Sequence, residues 1–289
     1  MSDVTSVLTE IRQKIAEIKP DTARIDARQI MMHACQLTPE ALITERTRAI
    51  SEDEKDLINQ MVNRRLSGEP VTKIVGTREF WGMNFATNRA TLDPRPDSET
   101  LISNICDFWQ DRINDPLRIL DLGTGSGCLL LSLLSEFKNA KGVGIEQSTE
   151  AAETAIKNAA KLGLKERTEI VNRSWDGYLA DQKFDLIISN PPYIRTSVID
   201  DLEEEVRHYD PMFALDGGHD GLDCYRDLYH VIDQNLATDG MLVFEIGYDQ
   251  NEDVSGLYSD DVFYVKDVWK DIAGQDRAIQ ILRQKNAFF

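Results

Sequence analysis

The sequence predicts a doubly wound, mostly parallel α/β sheet, preceded by a small all-helical bundle and a β-hairpin connector. Three observations carry that expectation. Short apolar runs alternate with segments of helical period from residue 117 onward. A glycine-rich turn, Asp121-Leu-Gly-Thr-Gly-Ser-Gly127, joins the first apolar run to the first helix of that series. A later run, 184–189, ends on Asn190-Pro-Pro-Tyr193, and two consecutive prolines cannot continue a strand ladder.

Residues 1–68 read as helices only. Val4, Val7, Leu8, Ile11, Ile15 and Ile18 recur at helical spacing, and Pro20 closes the run. A second helix carries Ile25, Ile30, Met31 and Ala34. Thr38 before Pro39 suits an N-cap and first helical position. Ser51 and Glu54 form a capping box for a fourth helix, which holds Leu57, Ile58, Met61, Val62 and Leu66 and stops at Gly68.

The period changes over 69–92. Trp81, Met83 and Phe85 alternate like strand residues, and Gly76, Gly82 and Asn88 supply turn chemistry, so this stretch reads as the hairpin connector. The third domain, 93–289, starts with the break Pro94-Arg-Pro96. Asp97-Ser98 then caps a helix bearing Leu101, Ile102, Ile105, Phe108 and Trp109. Strands are expected at 117–122, 141–146, 168–172, 184–190, 241–247, 262–268 and 277–282. Helices fall at 127–137, 148–162, about 222–236, and after the fifth strand. Seven strands with helices between them make a Rossmann-like sheet.

Composition narrows the function classes. Hydrophobic residues at 42% and charged residues at 28% suit a globular chain with a sizeable core. The balance of 32 basic against 50 acidic residues, −18, repels phosphate backbones and argues against direct nucleic-acid contact. Four scattered cysteines without a C-x-x-C pair argue against disulfides or zinc and fit a reducing cytoplasm. No apolar run is long enough to span a bilayer, and the amino terminus lacks a signal-peptide core. His33, His208, His219 and His230 show no ligand spacing, so no metal is expected.

The chemistry sits at strand ends, where open α/β sheets place their ligands. Gly123, Thr124, Gly125, Ser126 and Gly127 let a ligand approach the backbone. The spacing differs from the dinucleotide fingerprint, and the neighbouring Asp121 disfavours phosphate, so a nucleoside with a cationic or carboxylate-bearing tail suits it better than NAD. Glu146, at the end of the second strand, can accept hydrogen bonds from ribose hydroxyls, and Trp175 can cover an adenine face. Asn190 offers a carboxamide, Pro191 a carbonyl, and Tyr193 a ring, a set that grips a planar –NH2 group beside Pro192.

The glycine loop paired with Asn190-Pro-Pro-Tyr193 resembles S-adenosylmethionine-dependent amino methyltransferases of class I. Four further stretches narrow the resemblance: Arg78-Glu-Phe-Trp81, Leu92-Asp-Pro-Arg-Pro-Asp-Ser-Glu99, the glycine loop itself, and Asp210-Pro…Ala214-Leu-Asp-Gly-Gly-His-Asp-Gly-Leu222. With Asp271…Gly274-Gln-Asp-Arg277, they are similar to the bacterial peptide-chain release factor N5-glutamine methyltransferases of the PrmC/HemK type. The resemblance runs from about residue 69 to the end.

It implies transfer of a methyl group from S-adenosyl-L-methionine to the glutamine of a Gly-Gly-Gln motif in a release factor, with S-adenosyl-L-homocysteine as product. It implies donor contacts at Gly123, Thr124, Gly125, Ser126, Gly127, Glu146, Trp175 and Asn190. Asn190, Pro191 and Tyr193 take the catalytic roles; Pro192, Phe80 and Arg95 join them in holding the glutamine. The helical domain would recognise the release factor, and the protein would act as a cytoplasmic monomer.

The chain departs from the family pattern at Ser174, where an acidic residue is common, and at Asp93, where an apolar one is usual. Glu146 replaces the common aspartate and keeps its role. Asp216-Gly-Gly-His-Asp-Gly221 does not match an EF-hand and is set aside, and Glu245 on the fifth strand has no assigned role. Two alternatives stay open: a DNA or RNA adenine N6-methyltransferase with the same tetrapeptide, and a catalytically silent donor-binding module.

Overall fold

Apolar period dictates the helical unit, which comprises residues up to Thr77 together with Glu203–Tyr209. The computed structural model describes residues 2–285 of the chain. Helices α1 (Val4–Ala16), α2 (Ala23–Ala34), α3 (Pro39–Thr44) and α4 (Glu52–Leu66) bury Val7, Ile11, Ile15, Ile30, Met31, Ile58 and Met61 in one cluster. The Ser51–Glu54 capping box is formed in both directions, and Thr38 Oγ1 accepts from Ala41 N at 3.1 Å. Ile18, Ile25, Leu57 and Leu66 share the helical period but stay exposed.

A helix α5 (Val71–Val75) follows, where the sequence suggested the hairpin had begun. Its Val71, Ile74 and Val75 complete the helical core, so a run of β-branched residues is helical because tertiary burial outweighs intrinsic preference. A short helix α9 (Glu204–Tyr209) also belongs to this unit. The buried Arg65 guanidinium bridges Asp26 at 2.7 Å and Glu205 at 2.9 Å, which compensates its desolvation.

The second unit begins with the hairpin, β1 (Thr77–Phe80) and β2 (Met83–Ala86). Trp81 is a turn residue there, with φ +50°, not the strand residue its alternation suggested. Its backbone N–H donates to Glu99 Oε1 and its indole N–H to Glu136 Oε1, both at 2.8 Å, and these bonds hold the left-handed turn. Helix α6 (Glu99–Phe108) leads to β3 (Arg118–Leu122), α7 (Cys128–Glu136), β4 (Lys141–Glu146), α8 (Thr149–Lys161), β5 (Thr168–Asn172) and β6 (Phe184–Ser189). After a long loop come α10 (Asp223–Asn235), β7 (Leu236–Glu245), α11 (Asn251–Leu257), β8 (Phe263–Lys270) and β9 (Asp276–Arg283).

The sheet order is β5-β4-β3-β6-β7-β9-β8, with β9 antiparallel to both its neighbours. Both faces are covered. Ile119, Leu186, Ile188, Met241 and Val243 point to the face packed by α6 and α7. Leu120, Ile187, Leu242 and Phe244 point to the face packed by α10 and α11. This period-2 split explains why Leu186, Ile187 and Ile188 of β6 are apolar in succession: a strand buried on both sides alternates between two cores, not between core and solvent.

A candidate active site at the strand-order reversal

From β3 the chain runs outward through β4 and β5 on one flank and through β6 and β7 on the other. At such a reversal two strand-end loops part, and a crevice opens between them. Here a cleft, open to solvent, lies between the loop after β3 and the loop after β6.

The loop after β3 forms its floor. Gly123, at φ +80°, donates its N–H to Ile145 O at 2.9 Å, and a Cβ there would lie 3.2 Å from the Trp175 ring. Glycine thus permits both the turn and the close approach of the tryptophan. Gly125 N donates to Glu146 Oε2 at 2.9 Å and Ser148 N to Oε1 at 2.8 Å, so one buried carboxylate ties together the loops after β3 and β4. Thr124 Oγ1 donates to Asp121 Oδ2 at 2.7 Å. Burial pushes the Asp121 carboxyl up to about 7, against the pull of that bond.

Asp121 Oδ1 and Ser126 Oγ are buried without a hydrogen-bond partner among the described residues, and Ser126 lines the cleft. Unsatisfied polar atoms at a ligand crevice are what a bound polar group would complete. The Glu146 carboxylate, which lines the cleft, fits a cationic donor and disfavours a phosphate.

The loop after β6 forms the opposite wall. Ser189 Oγ donates to Leu122 O at 2.6 Å, which fixes where the strand ends. Asn190 and Pro192 line the cleft, whereas Pro191 is buried and Tyr193 is half-buried behind it. The tetrapeptide is held from outside the strand. Gln250 Nε2 donates to Tyr193 O at 3.0 Å and to Gly221 O at 3.1 Å, while Ile194 exchanges backbone bonds with Leu215 and Gly217. A Cβ on Gly217 would come within 2.8 Å of Pro192 O and Tyr193 Cα. The segment Asp216–Gly221, set aside on sequence, therefore backs the Asn-Pro-Pro-Tyr turn, and only glycine permits that contact.

Of the residues expected at the site, Gly123, Thr124, Gly125 and Ser126 face the cleft with Glu146, Trp175, Asn190 and Pro192. Gly127 caps α7 beneath the loop. Arg95 also lines the cleft, anchored by a 2.7 Å ion pair with Asp210, and Phe213 lines it from the turn that follows. Phe80 does not line it. Its ring is fully buried, edge-to-face with Phe85 at 6.2 Å, because the hairpin uses it to fill the core.

Sequence reasoning also placed Ser98 as a helix cap. Its hydroxyl makes no capping bond and instead donates to Glu245 Oε2 at 2.5 Å. Glu245 is buried at the end of β7, with Tyr193 Oη 3.4 Å from its other oxygen. Burial pushes its carboxyl up to about 7, opposed by the Ser98 bond and by Arg277. Among the described residues no cluster of His, Cys, Asp and Glu is arranged to hold a metal.

Fold and cleft define a class I methyltransferase domain, and the profile of the methyltransferase domain family matches residues 113–286. The profile described as the PrmC N-terminal domain matches residues 6–76. The release factor glutamine methyltransferase of Agrobacterium fabrum is 38% identical, over 97% of this chain and 97% of its own. That of Bradyrhizobium diazoefficiens is 41% identical, over 96% of this chain and 93% of its own. The chain belongs to the release factor glutamine methyltransferase family. The fold alone is shared with the hMettl16 catalytic domain, solved in complex with MAT2A 3'UTR hairpin 1, at TM-score 0.54 and 12% identity over 87% of this chain and 90% of that one.

Proposed function

We propose that this protein transfers a methyl group from S-adenosyl-L-methionine to the side-chain amide nitrogen of the glutamine in a release factor's Gly-Gly-Gln motif. The observation that carries this reading is the placement of Asn190 and Pro192 across one cleft from the glycine loop and Glu146. Glu146, Ser126 and Trp175, which line the cleft, would hold the donor, and it would supply an electrophilic methyl on a sulfonium. The Asn190 side-chain oxygen and the Pro191 carbonyl accept the two amide N–H bonds, and Tyr193 packs on the amide plane.

An amide nitrogen is a poor nucleophile because its lone pair is delocalised into the carbonyl. Two acceptors on its hydrogens favour a more pyramidal nitrogen and stabilise the positive charge that develops there. Alignment contributes the larger share, up to roughly 7–11 kcal/mol where geometry is near ideal. With the donor bound, the N–C bond would form as the donor's C–S bond broke, leaving S-adenosyl-L-homocysteine, and the nitrogen would then release its proton to solvent. That proton becomes acidic only after transfer, so the mechanism requires no strong base beforehand.

The helical unit recognises the release factor, and the protein works as a cytoplasmic monomer without direct nucleic-acid contact. The −18 charge balance supports the last point. Among the described residues no helix is long and apolar enough to cross a membrane.

The test incubates the protein and labelled donor with release factor or with duplex DNA. Label on the factor's glutamine is expected; label on DNA alone, or on neither, would overturn the reading. Asn190→Ala should abolish transfer while donor binding largely survives.

A further inference from the structure

We propose that Glu245 is a positioning residue that sets the Tyr193 ring and the Ser98 wall of the cleft for methyl transfer. The inference rests on the function proposed above.

Glu245 lies one residue beyond Phe244, which pairs with Ser189, so β7 delivers its carboxylate beside the root of the Asn-Pro-Pro-Tyr turn. The carboxylate faces two ways. One oxygen accepts from Ser98, a cleft-lining residue just before α6, and the other faces the Tyr193 phenol at 3.4 Å. Its backbone carbonyl accepts from Tyr225 Oη at 2.8 Å, so the strand end itself is pinned.

A buried carboxylate is costly, and a fold that needed only packing here would be served by an apolar side chain. What the carboxylate adds is direction: the Ser98 hydroxyl donates to one oxygen and the Tyr193 phenol faces the other, so one group orients two side chains. The Tyr193 contact is long for an O–H···O bond. Such bonds often tighten only when substrate is in place.

Other groups face this carboxylate from the surrounding elements. Asp97 stands beside Ser98, Cys128 begins α7, Tyr225 comes from α10, and the Arg277 guanidinium comes from β9. Arg277 is held by Asp271 at 3.1 Å, with Asp97 at 3.9 Å. Among these groups the carboxylate takes up a proton near neutral pH, with burial the main cause.

The test compares wild type, Glu245→Gln, Tyr193→Phe and the double variant on release factor, measuring kcat, KM and donor Kd between pH 6 and 9. Glu245→Gln should lower kcat ~10- to 100-fold with donor Kd and factor KM nearly unchanged. Tyr193→Phe should lose a similar factor, and the double variant should be no worse than the poorer single one. The wild-type rise in kcat around pH 7 should be absent in Glu245→Gln.

Wild-type turnover on the factor carries the underlying function. Given that turnover, equal kcat in Glu245→Gln, or additive losses in the double variant, would overturn the role of Glu245 alone. If Glu245→Gln fails to fold, Tyr193→Phe decides: a kcat that still rises through pH 7 with the wild-type amplitude overturns the role, and a flattened profile supports it.

Discussion

At the residue scale, two positions of similar sequence promise meet opposite fates. Gly123 has the backbone and the neighbour that its motif implies, with φ +80° and the Trp175 ring in contact. Gly123→Ala should cost ~1–2 kcal/mol for the left-handed backbone and push Trp175 off the cleft. Weakened donor binding by calorimetry and a lowered Tm are the expected readouts; an unchanged Kd would contradict the placement of Trp175. Phe80 belongs to the same family pattern but fills the hairpin core. Phe80→Ala should therefore cost about 3–5 kcal/mol of stability. Whatever remains folded should keep its KM for the release factor. A raised KM at undiminished stability would return Phe80 to the cleft.

Elements show how local signals combine with packing. Ser51→Ala removes one half of a formed capping box and should destabilise the helical unit by about 1 kcal/mol, measured by urea unfolding. The effect is local because α4 keeps its buried face of Ile58, Met61 and Val62. The loop behind β6 is a stricter case. A Cβ on Gly217 would meet backbone atoms at 2.8 Å, which cannot swing aside as a flexible side chain would. Gly217→Ala should shift Pro192 and Tyr193 and reduce methyl transfer by at least about tenfold, with donor binding retained. Wild-type turnover in that variant would show the loop yields freely.

The capping box, the Thr38 cap and the β6 turn were legible because each depends on residues close in sequence. The helix at Val71–Val75 and the turn at Trp81 were not. Both depend on partners far along the chain: a helical core for the first, Glu99 and Glu136 for the second.

For the whole molecule, two buried acids couple stability to pH. Asp121 and Glu245 are each raised by burial to about 7, from ordinary values of 3.8 and 4.5. The folded protein then holds protons that the unfolded chain has released, so stability falls as pH rises between about 4 and 7. Each tenfold gain in proton affinity on folding corresponds to about 1.4 kcal/mol. Acids held low by hydrogen bonds or cations, such as Asp220 at about 2 beside Arg226, act below that window with the opposite sign. Chemical denaturation at pH 5 and pH 8 should show Glu245→Gln gaining on the wild type at the higher pH. A constant difference between the two would mean that Glu245 does not titrate in the window.

Local order was written in the sequence. Strand–helix alternation, the glycine loop after β3 and the proline break after β6 follow from side-chain period and backbone restriction, which neighbours along the chain impose. Those signals also located the crevice, because parallel strands leave their ligand loops at the carboxyl ends. Which side chains meet there was decided by the tertiary structure. Ser98 and Glu245 stand 147 residues apart and share a hydrogen bond only because the turn before α6 meets the end of β7 within one unit. Gly217 reaches Tyr193, and Phe80 turns into the core, for the same reason: close packing between distant segments leaves each side chain one place to go.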